Sequence, residues 1–393
     1  MSLRKIVVVF CAFVVGVIPL LVGPQASAAP GITAKAGAGD LVDVTDITDT
    51  PNARIKGAAK VYLIHYLSEN ERGRLIPVRG TVSIPAAKPY AGPYRFASWA
   101  HGTAGLGDDC TVTDRMGTKV NGVGRWDAWM GPWFTHGYVL VASEYAGIGG
   151  PGVHAYNDGQ MQGKNIIDAV RAARAVVARH GDHAAGTAYT TAGGSQGGLS
   201  SVWAAKLADT YAPELNLVGA SAQSVPVDIS ASFAPIAPGV PPVSVTDFVT
   251  YFSYVLAGVK VVRPDVDVDS YLTPLGRKVV RDAQTLCYPN QGRATRGLTI
   301  GQLVSRPFTQ GPLLAAVRSF TKAPGGRLGT RLLIQQGTLD PVAPAEPTTQ
   351  WVDSTRAAGS TVDYRTYNAG HGINLGAQRD SLEWAFGLPW PRG

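Results

Sequence analysis

The sequence predicts an α/β protein with a mostly parallel β-sheet, helices on both faces and a large inserted segment. Residues 137–143 form a nearly continuous apolar run, as expected of a strand buried on both faces. Residues 162–180 follow with apolar side chains at helical spacing. Another strand, a glycine-rich corner at 193–198 and a further helical pattern come next. This alternation is typical of a parallel sheet with crossover helices.

Residues 1–28 have the three parts of a secretory signal peptide. A basic start precedes an apolar run over residues 6–22, and small residues follow at Ala26 and Ala28. We therefore expect a secreted protein, with cleavage after about Ala28. A retained membrane anchor is the alternative, which Pro19 and the small-residue ending disfavour.

The charge pattern excludes a nucleic-acid partner. The formal net charge is +7, and it falls to +5 without residues 1–28, which contain two basic residues and no acidic one. No block of like charges and no mixture of aromatic with basic residues is present. The 45% of hydrophobic residues can fill a large core. We expect a monomer.

Cysteine usage indicates a disulfide. Without residues 1–28, only Cys110 and Cys287 remain. An even pair in an exported chain predicts a bond between them, which would join the segment after the third predicted strand to the inserted segment. Two thiols without nearby histidines do not make a zinc site, so we expect no metal and no cofactor.

The chain is predicted to divide into five parts. Residues 29–55 lack clear periodicity and are interpreted as an irregular lead-in. Residues 56–223 and 330–393 carry the alternating strands and helices of one core. Residues 224–329 are rich in Pro and Gly and are too long for a loop, so they are interpreted as a helical cap. The strands of the core are predicted at residues 58–67, 75–84, 94–99, 137–143, 216–222, 331–337 and 361–367, besides the one that leads into residue 193.

The glycine-rich corner places a serine where a nucleophile would stand. Gly193, Ser195 and Gly197 fit the pattern G-x-S-x-G, in which a strained strand-to-helix turn exposes a serine hydroxyl. Flanking glycines avoid collisions at such a corner. A glycine-rich turn without chemistry is the alternative.

Chain order supplies partners for this serine. A serine needs a base and an acid that orients it, and after such a corner the acid precedes the histidine. Of the seven histidines only His371 follows Ser195, in a turn after the last predicted strand. Asp340 follows the preceding strand, whereas Asp353 and Asp363 fall inside predicted elements. His371 as a surface residue and Asp340 as a helix N-cap are the alternatives.

Two backbone N–H groups are predicted to form an oxyanion hole. One belongs to Gln196, directly after the serine, and the other to Thr103, in the loop after the third strand. Gly102 would let the backbone approach, and His101 is interpreted as structural. The loop as a simple turn is the alternative.

From about residue 61 to its end, the chain resembles the α/β-hydrolase superfamily and, more narrowly, the secretory lipase family of fungi and actinobacteria. The resemblance rests on four segments, at residues 144–149, 168–174, 193–198 and 337–340. It implies an eight-stranded core, a helical lid inserted after the sixth strand, and hydrolysis of acyl esters. The chain departs from the family at Gly194, where an aromatic residue is common, and at Glu144, where Asp is frequent.

The main hypothesis is a secreted serine carboxylic-ester hydrolase of lipase type, acting through an acyl-enzyme on triacylglycerols or other fatty-acyl esters. Phe248 and Phe252 lie on one face of a predicted cap helix at residues 246–257 and are candidate acyl-binding residues. We also expect the cap to make transient contact with a lipid surface. Packing of that face on the core is the alternative. A short-chain esterase, an acyltransferase or peptidase, and a binding protein without turnover are the competing functions.

Overall fold

The computed structural model describes residues 36–53, 55–116, 127–241, 247–372 and 375–391, and the predicted signal peptide with its cleavage site lies outside them. A nine-stranded sheet in the described residues positions the functional site. Its strands are β1 Leu41–Asp46, β2 Ala58–Glu69, β3 Leu75–Pro85, β4 Tyr94–Ala100, β5 Tyr138–Ser143, β6 Ala185–Gly194, β7 Asn216–Gln223, β8 Leu332–Gly337 and β9 Val362–Tyr367.

The sheet is antiparallel at one side and parallel over the rest. Its strand order is β1-β2-β3-β5-β4-β6-β7-β8-β9. The pairs β1–β2, β2–β3 and β3–β5 are antiparallel. The pairs β5–β4, β4–β6, β6–β7, β7–β8 and β8–β9 are parallel. The predicted α/β class with a mostly parallel sheet is therefore confirmed.

The strand count and the lead-in differ from the expectation. The sheet has nine strands rather than eight because β1 lies inside residues 29–55, which were predicted to be irregular. This strand pairs with β2 at the edge of the sheet, and only Leu41 and Val44 are half-buried. An exposed edge strand needs little apolar alternation, so its sequence gives a weak signal.

Helices cover both faces of the sheet. The core helices are α1 Asp127–Thr135, α2 Gly159–His180, α3 Gln196–Tyr211, α10 Ala345–Ala357 and α11 Leu375–Phe386. Helices α1 and α11 pack with Trp99 and Leu140 on one face, whereas α2 packs with Phe96 and Val141 on the other. Adjacent residues of β4 and β5 thus fill different cores, as the period of two requires. The sequence did not predict α1, which contains Pro132.

A helical cap is inserted between β7 and β8. Its helices are α4 Ser230–Phe233, α5 Phe248–Val262, α6 Pro274–Ala283, α7 Tyr288–Ala294, α8 Ile300–Leu303 and α9 Leu313–Thr321. An apolar cluster fills the cap and also includes Leu106 and Tyr156 of the core. Within the ranges that the structure describes, no helix is both long and apolar enough to span a bilayer.

Candidate active site

Ser195 lies at the corner between β6 and α3, at the carboxyl end of a parallel strand. Its φ is 56° and its ψ is −122°, a conformation that costs a non-glycine residue about 1–3 kcal/mol. Its backbone N–H donates to the carbonyl oxygen of Gln223 at the end of β7, at 2.8 Å. The neighbouring strand therefore helps to hold this strained corner in place.

Backbone crowding explains the glycines on either side of Ser195. A Cβ at Gly193 would lie 2.5 Å from the carbonyl oxygen of Gly197 and 2.7 Å from that of Ala100. A Cβ at Gly197 would overlap the carbonyl oxygen of Ala100. Since the obstacles are backbone atoms of the sheet and helix, they cannot move aside cheaply. The packing of α3 against β4 and β6 thus requires glycine at both positions.

The structure brings Ser195, His371 and Asp340 into one hydrogen-bonded chain. Nε2 of His371 lies 2.9 Å from Oγ of Ser195. Nδ1 of His371 lies 2.8 Å from Oδ2 of Asp340. Because an ionised carboxylate only accepts hydrogen bonds, Nδ1–H donates to Asp340, and Nε2 is left to accept from the serine hydroxyl.

Asp340 is held as a buried carboxylate. Its Oδ1 accepts from the backbone N–H groups of Val342 and Ala343, both at 2.9 Å. Burial acts to raise its pKa, but the hydrogen bonds from His371, Ala343 and Val342 outweigh burial and hold the pKa below its ordinary value. The group therefore stays charged beside the imidazole at neutral pH.

Two short segments after β8 and β9 hold the acid and the histidine together. The backbone N–H of Leu339 donates to the carbonyl oxygen of Ala369 at 3.0 Å. Gly337 approaches the backbone of Gly370 so closely that a Cβ would lie 2.5 Å from its carbonyl oxygen. Oγ of Ser224 also donates to the carbonyl oxygen of His371, at 3.1 Å. Sequence reasoning did not identify Ser224, and no motif marks it.

Gln196 and Thr103 lie on the two segments from which the oxyanion donors were expected. Gln196 is the first residue of α3, and Thr103 lies in the loop after β4 and lines a cavity with Ser195. That loop passes close to the nucleophile corner, since a Cβ at Gly102 would lie 3.5 Å from the carbonyl oxygen of Gly194. Oγ1 of Thr103 is 2.7 Å from the hydroxyl of the buried Tyr156, which fixes its side chain.

A buried histidine, whose role the sequence did not indicate, supports the side chain of Gln196. Nε2 of His154 lies 2.8 Å from the side-chain nitrogen Nε2 of Gln196. Nδ1 of His154 lies 2.9 Å from the carbonyl oxygen of Ala146. Nδ1 must therefore carry the proton, and Nε2 accepts. Burial lowers the pKa of His154 to about 4, so it is neutral near pH 7. Its place in the chain gives no motif from which this contact could be predicted.

His101 is buried beneath the loop of Thr103 and does not contact Ser195. Its Nδ1 lies 2.7 Å from the carbonyl oxygen of Gly102, and its Nε2 lies 3.6 Å from Oε2 of Glu144. Burial lowers the pKa of His101 to about 4 and raises that of Glu144 to about 7. Glu144 accepts from the backbone N–H groups of Val112 and Thr113. His101 and Glu144 therefore stabilise the segment that follows β4 through contacts with its backbone.

The predicted disulfide is present. Cys110 and Cys287 are bonded, with their Cα atoms 5.2 Å apart. Next to the bond, the backbone N–H of Tyr288 donates to the carbonyl oxygen of Ala104 at 2.8 Å. The loop after β4 is thus fixed to the start of α7 in the cap. Elsewhere, among the residues described, no three His, Cys, Asp or Glu side chains are grouped so that they could bind one metal ion.

A cavity of about 420 Å³ contains Ser195 and His371. On the side of β4 it is lined by Trp99, Ala104 and Val112, and on the side of β7 by polar residues. These polar residues are Ser221, Gln223, Ser224, Gln378 and Ser381.

The structure does not place the candidate acyl-binding residues in this cavity. Phe252 is fully buried in the cap, where its ring packs against Phe233 and Phe308 at centroid distances of 5.8 Å and 5.7 Å. Phe248 lines a different cavity, beside Tyr288. In this structure the apolar face of α5 turns toward other cap helices, so acyl binding by Phe248 and Phe252 stays a prediction that the cavity at Ser195 does not support.

The chain is similar in sequence to known lipases. Residues 125–289 match the family model described as secretory lipase. Lipase A of Moesziomyces aphidis is 24% identical over 338 residues, which are 81% of this chain and 69% of that protein. A secreted triacylglycerol lipase, LIP4 of Malassezia globosa, is 36% identical over 98 residues, which are 24% of this chain and 20% of its own length.

Solved structures share the fold. Lipase A of Candida antarctica in its closed state superposes with a TM-score of 0.70 at 20% identity, covering 91% of this chain and 84% of its own. The rice cell wall degrading esterase LipA of Xanthomonas oryzae gives 0.71 at 18% identity, covering 89% and 96%. The resemblance seen in the sequence is thus confirmed: the chain is a lipase or esterase hydrolase with the α/β-hydrolase fold, and residues 125–289 match the secretory lipase family.

Proposed function

We propose that this chain is a secreted carboxylic-ester hydrolase in which Ser195, His371 and Asp340 form the catalytic triad. The observation that carries the proposal is the pair of contacts at His371, 2.9 Å to Oγ of Ser195 and 2.8 Å to Asp340. A serine hydroxyl is a weak nucleophile, and a base at this distance can remove its proton as it attacks.

The reaction proceeds in two halves. Oγ of Ser195 bonds to the ester carbonyl carbon while Nε2 of His371 takes the proton, and Asp340 stabilises the imidazolium. The carbonyl oxygen becomes an oxyanion that accepts from the backbone N–H groups of Gln196 and Thr103. When the C–O bond breaks, His371 returns the proton to the leaving alcohol. Water, deprotonated by His371, then attacks the acyl carbon, and His371 returns this proton to Oγ of Ser195 as the acid leaves.

The strained corner and its supports favour this role. Tight backbone packing at Gly193 and Gly197 presents the hydroxyl of Ser195 to the cavity. The contact between His154 and Gln196 holds the start of α3, which lends its first N–H group to the oxyanion. Fixed donors of this kind cost no reorganisation during the reaction.

A short-chain esterase is the second candidate. The cavity at Ser195 is not lined by Phe248 or Phe252, which were expected to bind a fatty chain. A long acyl chain gains roughly 0.8 kcal/mol per buried CH₂ group only where apolar surface receives it. The relative described as a secreted triacylglycerol lipase favours the hypothesis that this chain is a lipase. Signal-peptide cleavage after about Ala28 remains part of the proposal.

Hydrolysis of p-nitrophenyl esters tests the proposal. We expect Ser195→Ala, His371→Ala and Asp340→Ala each to lower kcat/KM by about 10⁴-fold. Unchanged unfolding curves would show that the loss is chemical. Near wild-type turnover in His371→Ala, with loss in His101→Ala, would overturn the assignment of the base. A series of acyl lengths separates esterase from lipase, and an amide substrate tests for a peptidase.

A further inference from the structure

The cavity at Ser195 has two chemically different sides. On the side of β4, the apolar side chains of Trp99 in the strand and of Ala104 and Val112 in the following segment line the cavity together with His101 and Thr103. Because β6 lies between β4 and β7 in the sheet, the residues of β7 line the other side of the nucleophile. There, Ser221 and Gln223 carry hydrogen-bonding groups. Ser381 of α11 lines the same side.

The amide of Gln223 has a fixed orientation. Gln335 is fully buried, and its amide nitrogen donates to the hydroxyl of Tyr367 at 2.8 Å and to the carbonyl oxygen of Ala377 at 2.7 Å. Its Oε1 is therefore the acceptor for Nε2 of Gln223, at 2.9 Å. This contact uses the donor end of Gln223 and leaves its Oε1 as an acceptor near Ser195.

Ser221 and Ser381 offer a donor beside that acceptor. Their hydroxyl oxygens are 2.7 Å apart, and the two residues are only 2% and 1% exposed. When two hydroxyls share one hydrogen bond, one O–H group is left to donate to a third partner. Ser221, Gln223 and Ser381 are called the polar wall below.

Gly194 leaves the polar wall uncovered. The three atoms nearest to a Cβ built at Gly194 all belong to Gln223. Both Cβ and Oε1 of Gln223 would lie 3.8 Å from it. A large side chain at this position would project toward Gln223 and cover its amide. With glycine, a group bound at Ser195 reaches the polar wall directly.

We propose that the polar wall binds a hydroxyl group of the substrate, so that this protein acts on hydroxylated esters. The inference rests on the proposed function, since it places the ester at Ser195. A plain alkyl chain along the polar wall would leave the oxygen of Gln223 and the spare O–H of the serine pair without partners. Sites built to hydrogen-bond a substrate hydroxyl discriminate against analogues that lack it.

The hydroxyl group can come from either half of the ester. A hydroxylated acyl group and a polyol alcohol, as in a glyceride, carry the same chemistry. Three esters of one skeleton separate them: propyl butyrate has no hydroxyl, propyl 3-hydroxybutyrate has one on the acyl side, and 1-glyceryl butyrate has two on the alcohol side.

Binding to the Ser195→Ala protein tests the inference without turnover. We expect at least one hydroxylated ester to bind about fivefold more tightly than propyl butyrate, as one net hydrogen bond predicts, measured by NMR titration. Ser381→Ala and Gln223→Leu on the same background should reduce this ratio to below about twofold. The ester that loses affinity identifies which half carries the hydroxyl.

Ser83→Ala is the matched control, because Ser83 is fully buried on β3 and does not line the cavity. It should leave the ratio as it is. Equal affinities for the three esters, or a ratio that both wall variants preserve, would overturn the inference while hydrolysis by the wild type still supports the proposed function. A retained binding preference without any ester hydrolysis would overturn the proposed function alone.

Discussion

The α/β core and the cap both bury apolar side chains, but the core also brings a serine, a histidine and a carboxylate together at one place. In the core, Ser195, Asp340 and His371 follow three parallel strands and meet at one edge of the sheet. In the cap, the aromatic side chains of Phe233, Phe252 and Phe308 pack on one another. Helical spacing therefore indicates that a face is buried, whereas sheet topology indicates which residues meet.

The bond that links the two regions should have the largest effect on stability. Cys110 and Cys287 are 177 residues apart, and closing so long a loop stabilises the folded state by about 4–5 kcal/mol on the chain-entropy model. The double variant Cys110→Ser with Cys287→Ser should lose about this much, measured by guanidinium unfolding. A change below about 1 kcal/mol would show that the cap and the core are held together mainly by packing.

Truncation inside the cap separates a structural aromatic residue from a substrate-binding one. Phe252→Ala should lower the free energy of unfolding by about 3–5 kcal/mol, because it leaves a cavity in the cap cluster. Phe248→Ala should lower the free energy of unfolding by less, because Phe248 is only half-buried. Neither variant should change the ratio of activity on long and short esters. A selective loss on long esters would restore α5 as the acyl-binding surface.

Two glycine positions on either side of Ser195 test the crowding at the nucleophile corner. Gly197→Ala forces a methyl group against the backbone of Ala100, and we expect a loss of about 2–4 kcal/mol in unfolding free energy. Gly194→Ala is the control for stability, since its Cβ would find only ordinary contacts. It should cost less than about 1 kcal/mol. Equal costs would mean that the corner tolerates a side chain at either position.

The buried histidines should make the core sensitive to acid. Burial lowers the pKa of His154 and His101 to about 4 from the ordinary 6.5. Between these values the unfolded chain protonates these two histidines and the folded chain does not, so the histidines lower the free energy of unfolding as the pH falls from about 6.5 toward 4. The buried Glu144, whose pKa is raised to about 7, acts in the opposite direction, so the contribution of the histidines is measured as the difference between wild type and variant.

Removing one of the two histidines should weaken this pH dependence. His154→Ala should cost about 1–3 kcal/mol at pH 7, because Gln196 and Ala146 lose their partner, and it should make the decline toward pH 4 shallower. Urea unfolding at several pH values measures both effects. His183→Ala, at an exposed site, should alter neither. A decline as steep as in the wild type would show that His154 does not contribute.

Sequence patterns located most of the core because each signal there is local. Strands β2, β4, β8 and β9 begin or end within two residues of the predicted bounds. Helix α1 was missed because Gly131 and Pro132 interrupt its pattern, although Trp133 beside them is buried. This exception shows where tertiary packing overrides the local signal.

The site was only partly accessible from the sequence. Chain order predicted His371 and Asp340, since their positions follow from the succession of strands, and the structure places them in one hydrogen-bonded chain with Ser195. His154 and Ser224 support the site through contacts across 42 and 147 residues, and no local pattern records such distances. The packing of Phe252 on Phe233 and Phe308 was not predicted either, because helical spacing does not show which surface covers a helix face.

Covalent labelling tests the central claim most directly. A serine-directed phosphonate reacts with a serine only when a neighbouring base activates it. Peptide mass spectrometry of the labelled protein should find one adduct, on the peptide that contains Ser195, and labelling of His371→Ala should be slower by several orders of magnitude. An unlabelled protein, or an adduct on a different residue, would contradict the proposal that Ser195 is the nucleophile.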